Sequence, residues 1–139
     1  MRVSVVIPVF NEEDNVVPLA DELDRVRAEL PELEVVFVDD GSRDATPDRI
    51  RSCARRLPFV RGFRTDRNCG QSAAMLAGLR VASGEVLVTM DGDLQNNPAD
   101  ILGDDLDMLG GALTEPKAGD AGVALARLQR AAMDFRFLY

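Results

Sequence analysis

Val86-Leu87-Val88-Thr89-Met90-Asp91-Gly92-Asp93-Leu94-Gln95-Asn96-Asn97-Pro98 is the stretch on which the reading of this chain turns. A short apolar run bounded by Gly and Asp reads as a buried parallel strand, and such strands end at the face where open α/β sheets bind their ligands. Asp91 and Asp93 therefore stand at a candidate site. In extended chain, residues i and i+2 point to the same side, so the two carboxylates can converge while Gly92 admits close approach of backbone or ligand. Converging carboxylates repel unless a positive group lies between them, and Mg²⁺ or Mn²⁺, which prefers oxygen ligands and shares them with substrate phosphates, is the usual solution. Gln95 offers a neutral oxygen two residues further on. The competing reading is a polar turn with solvated Asp side chains, and the motif alone does not choose between the two.

Working outward, Val3 to Val9 is a β-branched run that predicts a first buried strand, followed by the polar Asn11-Glu12-Glu13-Asp14-Asn15. Val16, Leu19, Ala20, Leu23, Val26 and Leu30 recur at helical spacing, with acids at the start and Pro31 past the end. Val35 to Val38 predicts a second strand, running into Asp39-Asp40-Gly41-Ser42. A second helix follows, with Thr46 as N-cap, Pro47 at its first position and Ile50, Cys53, Ala54 and Leu57 on its apolar face. Phe59 to Phe63 predicts a third strand, and Ser72 to Ala82 a helix that is small and apolar almost all round and so must be closely buried. With Val86 to Met90 as the fourth strand, the order is β-α-β-α-β-α-β, a parallel sheet with right-handed crossovers. Pro98 to Leu109 reads as an acidic helix, Gly110 to Gly122 as loop, and Val123 to Tyr139 as an amphipathic helix; neither flank supplies a clear fifth strand.

Composition narrows the function. A chain of 139 residues suits one domain with a real core. Its net charge of −8 disfavours nonspecific nucleic-acid binding. Eight Arg fall between Arg43 and Arg67; they read as a solvated helix face and loop, with membrane-surface or phosphate contact as the alternative. Cys53 and Cys69 lack metal-ligand spacing and read as reduced thiols in a cytosolic protein. The chain has no His, which removes Ser-His-Asp and Cys-His mechanisms and His-ligated zinc. The apolar run before Pro8 is too short for a signal peptide, and nothing approaches the ~20 apolar residues of a membrane span, so any lipid contact is expected to be peripheral.

Three strand ends carry acids or polar groups: Pro8 through Glu12, Asp39-Asp40, and Asp91 through Gln95. In a parallel sheet they meet at one edge, which makes chemical sense for a nucleotide diphosphate: acids to accept from base and ribose, and a metal to neutralise phosphate. Polar loops at sheet edges are the plain alternative. There is no G-x-G-x-x-G after the first strand and no phosphate-binding G-x-x-x-x-G-K-[ST]. A phosphohydrolase with an Asp nucleophile would carry D-x-D on the first strand, not the fourth.

Val6-Ile7-Pro8-Val9-Phe10-Asn11-Glu12-Glu13-Asp14-Asn15, Val38-Asp39-Asp40-Gly41-Ser42-Arg43-Asp44-Ala45-Thr46, Arg67-Asn68-Cys69-Gly70-Gln71 and Met90-Asp91-Gly92-Asp93-Leu94-Gln95 together resemble the inverting family 2 glycosyltransferases of GT-A fold, most closely the polyprenol-phosphate branch typified by dolichol-phosphate mannosyltransferase. The resemblance covers about residues 1–100, a nucleotide-sugar-binding core; residues 101–139 are expected to form a divergent or truncated, mostly helical segment on the same domain. It implies a GDP- or UDP-sugar donor, with Pro8, Phe10, Glu12 and Asp39 around the nucleoside. Asp91, Asp93 and Gln95 would surround a Mg²⁺- or Mn²⁺-bound diphosphate, with Asp93 and Gln95 as the direct ligands and Asp91 beside the donor; Asp91 and Asp93 are the implied catalytic residues. The implied acceptor is a polyprenyl phosphate, already an anion that needs little general-base help. The residues after Gly103 do not resemble the family's acceptor half. Two expectations follow: an active transferase, cytoplasmic or peripheral on the membrane and completed by a partner chain or by self-association, or a truncated nucleotide-sugar-binding module without turnover.

Overall fold

A computed structural model describes residues 2–95, 98–102 and 123–126 of the chain. Its elements are β1 (Val3–Val9), α1 (Val16–Arg27), β2 (Glu34–Asp39), α2 (Thr46–Arg56), β3 (Val60–Arg64), α3 (Gln71–Val81), β4 (Val86–Met90), a 3-10 turn at Pro98–Leu102, and β5 (Val123–Ala126). The sheet order is β3-β2-β1-β4-β5. The first four strands are mutually parallel and β5 runs antiparallel to β4.

Every residue of β1 and β2 is buried, because helices cover both faces of the sheet, and this is why their sequences are continuously apolar rather than alternating. Val3, Val5, Ile7 and Val9 of β1 join one core with Val16, Leu19, Leu23 and Val26 of α1 and with Ile50 and Cys53 of α2. Val6 of β1, with Val36 and Val38 of β2, faces the opposite way into a second core with Ala74 and Leu79 of α3. Helix α3 lies as close as its composition predicts: a Cβ added at Gly78 would stand 2.3 Å from Val6 Cγ1 and 2.8 Å from Val38 Cγ2.

The N-terminal edge of the sheet is pinned by a buried acid. Glu34 opens β2 and accepts from Ser4 Oγ at 2.5 Å, Ser83 N at 2.9 Å, Ser83 Oγ at 3.0 Å and Arg61 Nη1 at 2.7 Å. Burial raises its pKa, but these hydrogen bonds together outweigh it and hold the carboxyl below its ordinary value. On α2, Arg51 pairs with Asp48 at 3.1 Å and Arg56 with Asp21 at 2.7 Å, in the manner of a solvated helix face.

Two expectations require correction. Thr46 is the first residue of α2 rather than its cap. Ala45 is the cap and makes no side-chain capping bond; Asp44, one residue earlier, accepts Thr46 N–H on Oδ1 at 2.9 Å, and the Thr46 hydroxyl reaches across to the loop after β1. Val123–Ala126 is a strand, not the start of a helix. Four residues carry too little local preference to decide, whereas β4 presents an open row of backbone donors and acceptors that pairing satisfies. Of the expected helix at Pro98 to Leu109, residues 98–102 form a 3-10 turn with Ile101 packed into the α1 core. The remainder of that helix, the loop at Gly110 to Gly122 and the rest of the segment ending at Tyr139 lie outside the described residues.

Candidate functional site

In the order β3-β2-β1-β4, the chain leaves β1 toward β2 on one side and returns to β4 on the other. Open α/β sheets form their ligand crevice beyond the strand ends at such a switch point. A cavity of about 500 Å³ lies there, lined by Pro8, Val9, Phe10 and Glu12 from the end of β1, Asp40 from the end of β2, Asn68, Gly70 and Gln71 before and at the start of α3, and Asp91, Gly92 and Asp93 after β4. This size falls within the usual range for small-molecule sites.

The end formed by the loops after β1 and β2 is cross-braced. Asn11 N donates to Ser42 Oγ (2.8 Å), Glu12 N to Thr46 Oγ1 (2.9 Å), Arg43 N to Asn11 Oδ1 (2.9 Å) and Ala45 N to Glu13 Oε2 (2.9 Å). Asn11 holds φ +52° to make these contacts, a conformation that asparagine tolerates better than most residues. Asp44 is fixed in the same brace. Burial raises its pKa, but hydrogen bonds from the hydroxyl and N–H of Thr46 and from Glu13 N–H bring it below the ordinary value. Phe10, 45% exposed, stands at the cavity as an apolar surface held by this frame.

Asp40 organises the next wall. Its Oδ1 accepts from Cys69 N at 2.8 Å and from Thr65 Oγ1 at 3.2 Å, and its Oδ2 accepts from Gly70 N at 2.9 Å. The loop carrying Asn68 and Gln71 is thereby tied to the end of β2, and Gly70 accepts the turn into α3 at φ +94°. Gln71 Nε2 then donates to Asp91 Oδ1 at 3.1 Å. A continuous chain of contacts runs from β2 through the α3 loop to the carboxylate after β4.

Five of the seven residues expected at the site line this cavity: Pro8, Phe10, Glu12, Asp91 and Asp93. Asp39 and Gln95 are not among its lining residues. Asp39 is fully buried beside it, with Oδ1 accepting Ser42 N at 3.0 Å. Gln95 is exposed, and its backbone N–H donates to Asp93 Oδ1 at 3.1 Å. The chain turns immediately after Met90, with Leu94 at φ +63°, so the extended geometry expected from Asp91 to Gln95 is replaced by a turn that still brings both carboxylates to one cavity. Asn68, Gly70 and Gln71 were not singled out as ligands by residue type, and Asp40 entered only as one of the paired acids at the end of β2. The signal for them is positional: a polar Asn-x-Gly-Gln between a strand and a helix must sit on the same sheet edge as the other strand ends.

The donor set is entirely oxygen, which suits a hard divalent ion. Among the described residues no three acidic or thiol side chains gather to hold a metal by themselves. Asp91 and Asp93, both at the cavity, are carboxylates of the kind a hard divalent ion shares with phosphate and water.

The fold defines an α/β domain of the GT-A type. The model of glycosyl transferase family 2 matches residues 4–103, and the chain belongs to that family. It is 44% identical over 103 residues to the dodecaprenyl-phosphate galacturonate synthase of Rhizobium johnstonii, covering 73% of this chain and 30% of that protein. It is 45% identical over 105 residues to the undecaprenyl-phosphate 4-deoxy-4-formamido-L-arabinose transferase of Pseudomonas fluorescens, covering 71% and 30%. The chain thus spans about a third of the length of these curated relatives. Among solved structures, the mannosyltransferase PcManGT from Pyrobaculum calidifontis, in complex with GDP-Man and Mn²⁺, superposes with TM-score 0.72 at 22% identity over 91% of this chain and 44% of that one. S. aureus TarS 1-349 in complex with UDP-GlcNAc gives 0.67 at 26% identity over 88% and 36%.

Proposed function

We propose that this chain is the donor-binding part of a metal-dependent, inverting glycosyltransferase that moves a sugar from a GDP- or UDP-sugar to a polyprenyl phosphate. The observation that carries the proposal is the one cavity that brings the exposed Phe10 ring together with Asp91 and Asp93. A planar base needs an apolar surface, which Phe10 offers, and a diphosphate needs charge neutralisation, which a cation held by Asp91 and Asp93 would give. The relatives at 44% and 45% identity carry names that specify prenyl phosphates as acceptors, which supports the same acceptor class here.

Asp93 and Asp91 would hold Mg²⁺ or Mn²⁺, with Gln95 as a further oxygen donor; the bound ion would supply Lewis-acid stabilisation of the negative charge that develops on the departing diphosphate. The chain's own residues do the positioning. Phe10 and Pro8 seat the nucleoside, Glu12 offers an acceptor to its hydroxyls, and Gln71 fixes the orientation of Asp91. An acceptor phosphate oxygen attacks the anomeric carbon from the face opposite the diphosphate. The new C–O bond forms as the old one breaks, the electron pair leaves on the diphosphate oxygen, and configuration inverts. Because the attacking phosphate is an anion, no base in the protein is required to deprotonate it.

Calorimetric titration of the chain with GDP-mannose, UDP-glucose and UDP-N-acetylglucosamine, with and without Mn²⁺, tests the donor reading. Wild type is expected to bind at least one donor more tightly with metal, and Asp93→Ala to lose the metal-dependent part. Binding indifferent both to metal and to the substitution refutes the assignment of Asp93.

A further inference from the structure

β3 is the outer strand of the sheet and pairs with β2 alone. Val35 N donates to Phe59 O and Thr65 N to Asp39 O, so the odd-numbered residues of this stretch turn their backbone groups toward β2. Backbone groups alternate in direction along a strand, which leaves the N–H and C=O of Gly62 turned outward on the open edge. Gly62 also leaves a space toward α2, where a Cβ would stand 2.4 Å from Ile50 Cγ2. A slot of about 270 Å³ lies there, bordered by Gly62, by Ile50 and Ala54, and by Arg51 and Arg55. The same two arginines, with Asp48, Ser52 and Arg56, line a groove of about 450 Å³. Arg51 pairs with Asp48 and Arg56 with Asp21, whereas no acid pairs with Arg55 among the described residues. None of these residues lines the cavity at the strand ends.

We propose that the β3 edge is a docking site for an extended acidic segment of a partner protein. The segment adds to the sheet as a further strand, with an aromatic side chain beside Gly62 and acids on the same face toward Arg51 and Arg55. Main-chain hydrogen bonds to an open edge give such complexes affinity, and pockets for alternate side chains give specificity. A glycine on an edge strand leaves room that a large cross-strand side chain fills. Ile50 and Ala54 offer that ring an apolar floor, and guanidinium groups are attracted to its face. Charge selects the occupant. The chain carries a net charge of −8, yet α2 holds Arg49, Arg51, Arg55 and Arg56 against Asp48 alone, a local reversal of sign. Side chains two residues apart on a strand share a face about 7 Å apart. Acids flanking the ring therefore match arginines one helical turn, about 6 Å, apart. Arg55 gains a partner without breaking a native pair. A second copy of this chain would bring the same arginines, with Arg61 and Arg64 of the strand itself, against their own kind.

The test is a titration of the chain with the acetylated and amidated peptide Ser-Glu-Thr-Phe-Thr-Glu-Ser, followed residue by residue in amide NMR spectra and hydrogen exchange. The Gly62 N–H is expected to shift and to gain protection as the peptide saturates. Replacing Phe by Ala, or both Glu by Lys, weakens binding by about tenfold or more. Arg55→Glu in the protein, with folding checked by thermal melt, does the same. Two further peptides, N-methylated at Phe or at the Thr after it, separate strand addition from charge attraction. Successive N–H groups of a strand point to opposite sides, so one of the two loses about fivefold or more and the other stays within about twofold. The inference is overturned if Gly62 does not respond to millimolar peptide, if both N-methylated peptides bind like the parent, or if a folded Arg55→Glu binds like wild type. It is also overturned if Gly62 gains protection with chain concentration alone, the mark of a second copy. Anionic phosphatidylglycerol vesicles that shift the α2 amides where the peptide does not would likewise overturn it, in favour of a lipid surface. Should Arg55→Glu not fold, the peptide substitutions and the N-methylated pair on wild type decide the matter. Neither result depends on whether the chain binds a nucleotide.

Discussion

Substituting Asp40 by Asn removes one acceptor from a carboxylate that uses both. Oδ1 receives Cys69 N and Thr65 Oγ1, and Oδ2 receives Gly70 N. An Asn amide has a single acceptor oxygen, so whichever way it is turned its NH₂ faces a backbone N–H that has lost its partner. The side chain is only 4% exposed, so water does not readily replace the lost bond. Loss of one hydrogen bond to a charged acceptor, leaving a donor facing a donor, costs about 1.5–3 kcal/mol. Part of that cost falls locally, because the loop from Arg67 to Gln71 can part from β2 while the sheet stays intact. Urea unfolding of Asp40→Asn is therefore expected to shift to a lower midpoint with an unchanged slope. Amide hydrogen exchange resolved by residue should show Cys69 and Gly70 losing protection well beyond the global change. If both amides keep wild-type protection relative to the sheet, Asp40 is not what holds this wall of the cavity.

Two further outcomes follow from packing and charge. Gly78→Ala puts a methyl group against Val6 and Val38 on β1 and β2; overpacking by about 1–3 kcal/mol exceeds the roughly 1 kcal/mol gained in helix propensity, so chemical denaturation should show a net loss, and a more stable variant would mean that α3 can move away from the sheet. Glu34 has a folded-state pKa below its unfolded value of 4.5, so it binds protons less readily when folded and contributes stability above that pH. This contribution is lost as pH falls through the lower folded value. Glu34→Gln should be less stable at neutral pH and should show a shallower decline in unfolding free energy below about pH 4.5, measured by denaturant titration across pH; parallel curves for the two proteins would refute the assignment.

The centre of the sheet was legible because β1 and β2 are buried on both faces. Runs such as Val3 to Val9 and Val35 to Val38 have no alternative use in a chain of this size, and α3 announced its close packing by lacking any polar face. What the residues could not disclose was decided by neighbours at a distance. Val123–Ala126 becomes a strand because β4 has an open edge, a fact absent from its own four residues. Thr46 looked like a cap by type, yet its hydroxyl is engaged with Glu12 and Asp44. Strand-end convergence set Pro8, Phe10, Glu12, Asp91 and Asp93 at one sheet edge, and all five line one cavity there. It could not separate Asp39 from Asp40, because adjacent strand residues face opposite sides of a sheet and only the packed structure shows which one meets the cavity. Nor could it foresee Gln71 as the neighbour of Asp91, a contact that depends on where α3 begins.

The brace between the loops after β1 and β2 is denser than what the described residues show around Asp91 and Asp93. Four backbone-to-side-chain bonds under 3.0 Å stiffen those loops before any ligand arrives. Around Asp91 and Asp93, the described contacts are one amide bond from Gln71 and one backbone bond within the turn. The braced loops therefore meet a ligand already shaped, as a mould does. A nucleoside fragment lying against them should associate with little loss of protein entropy.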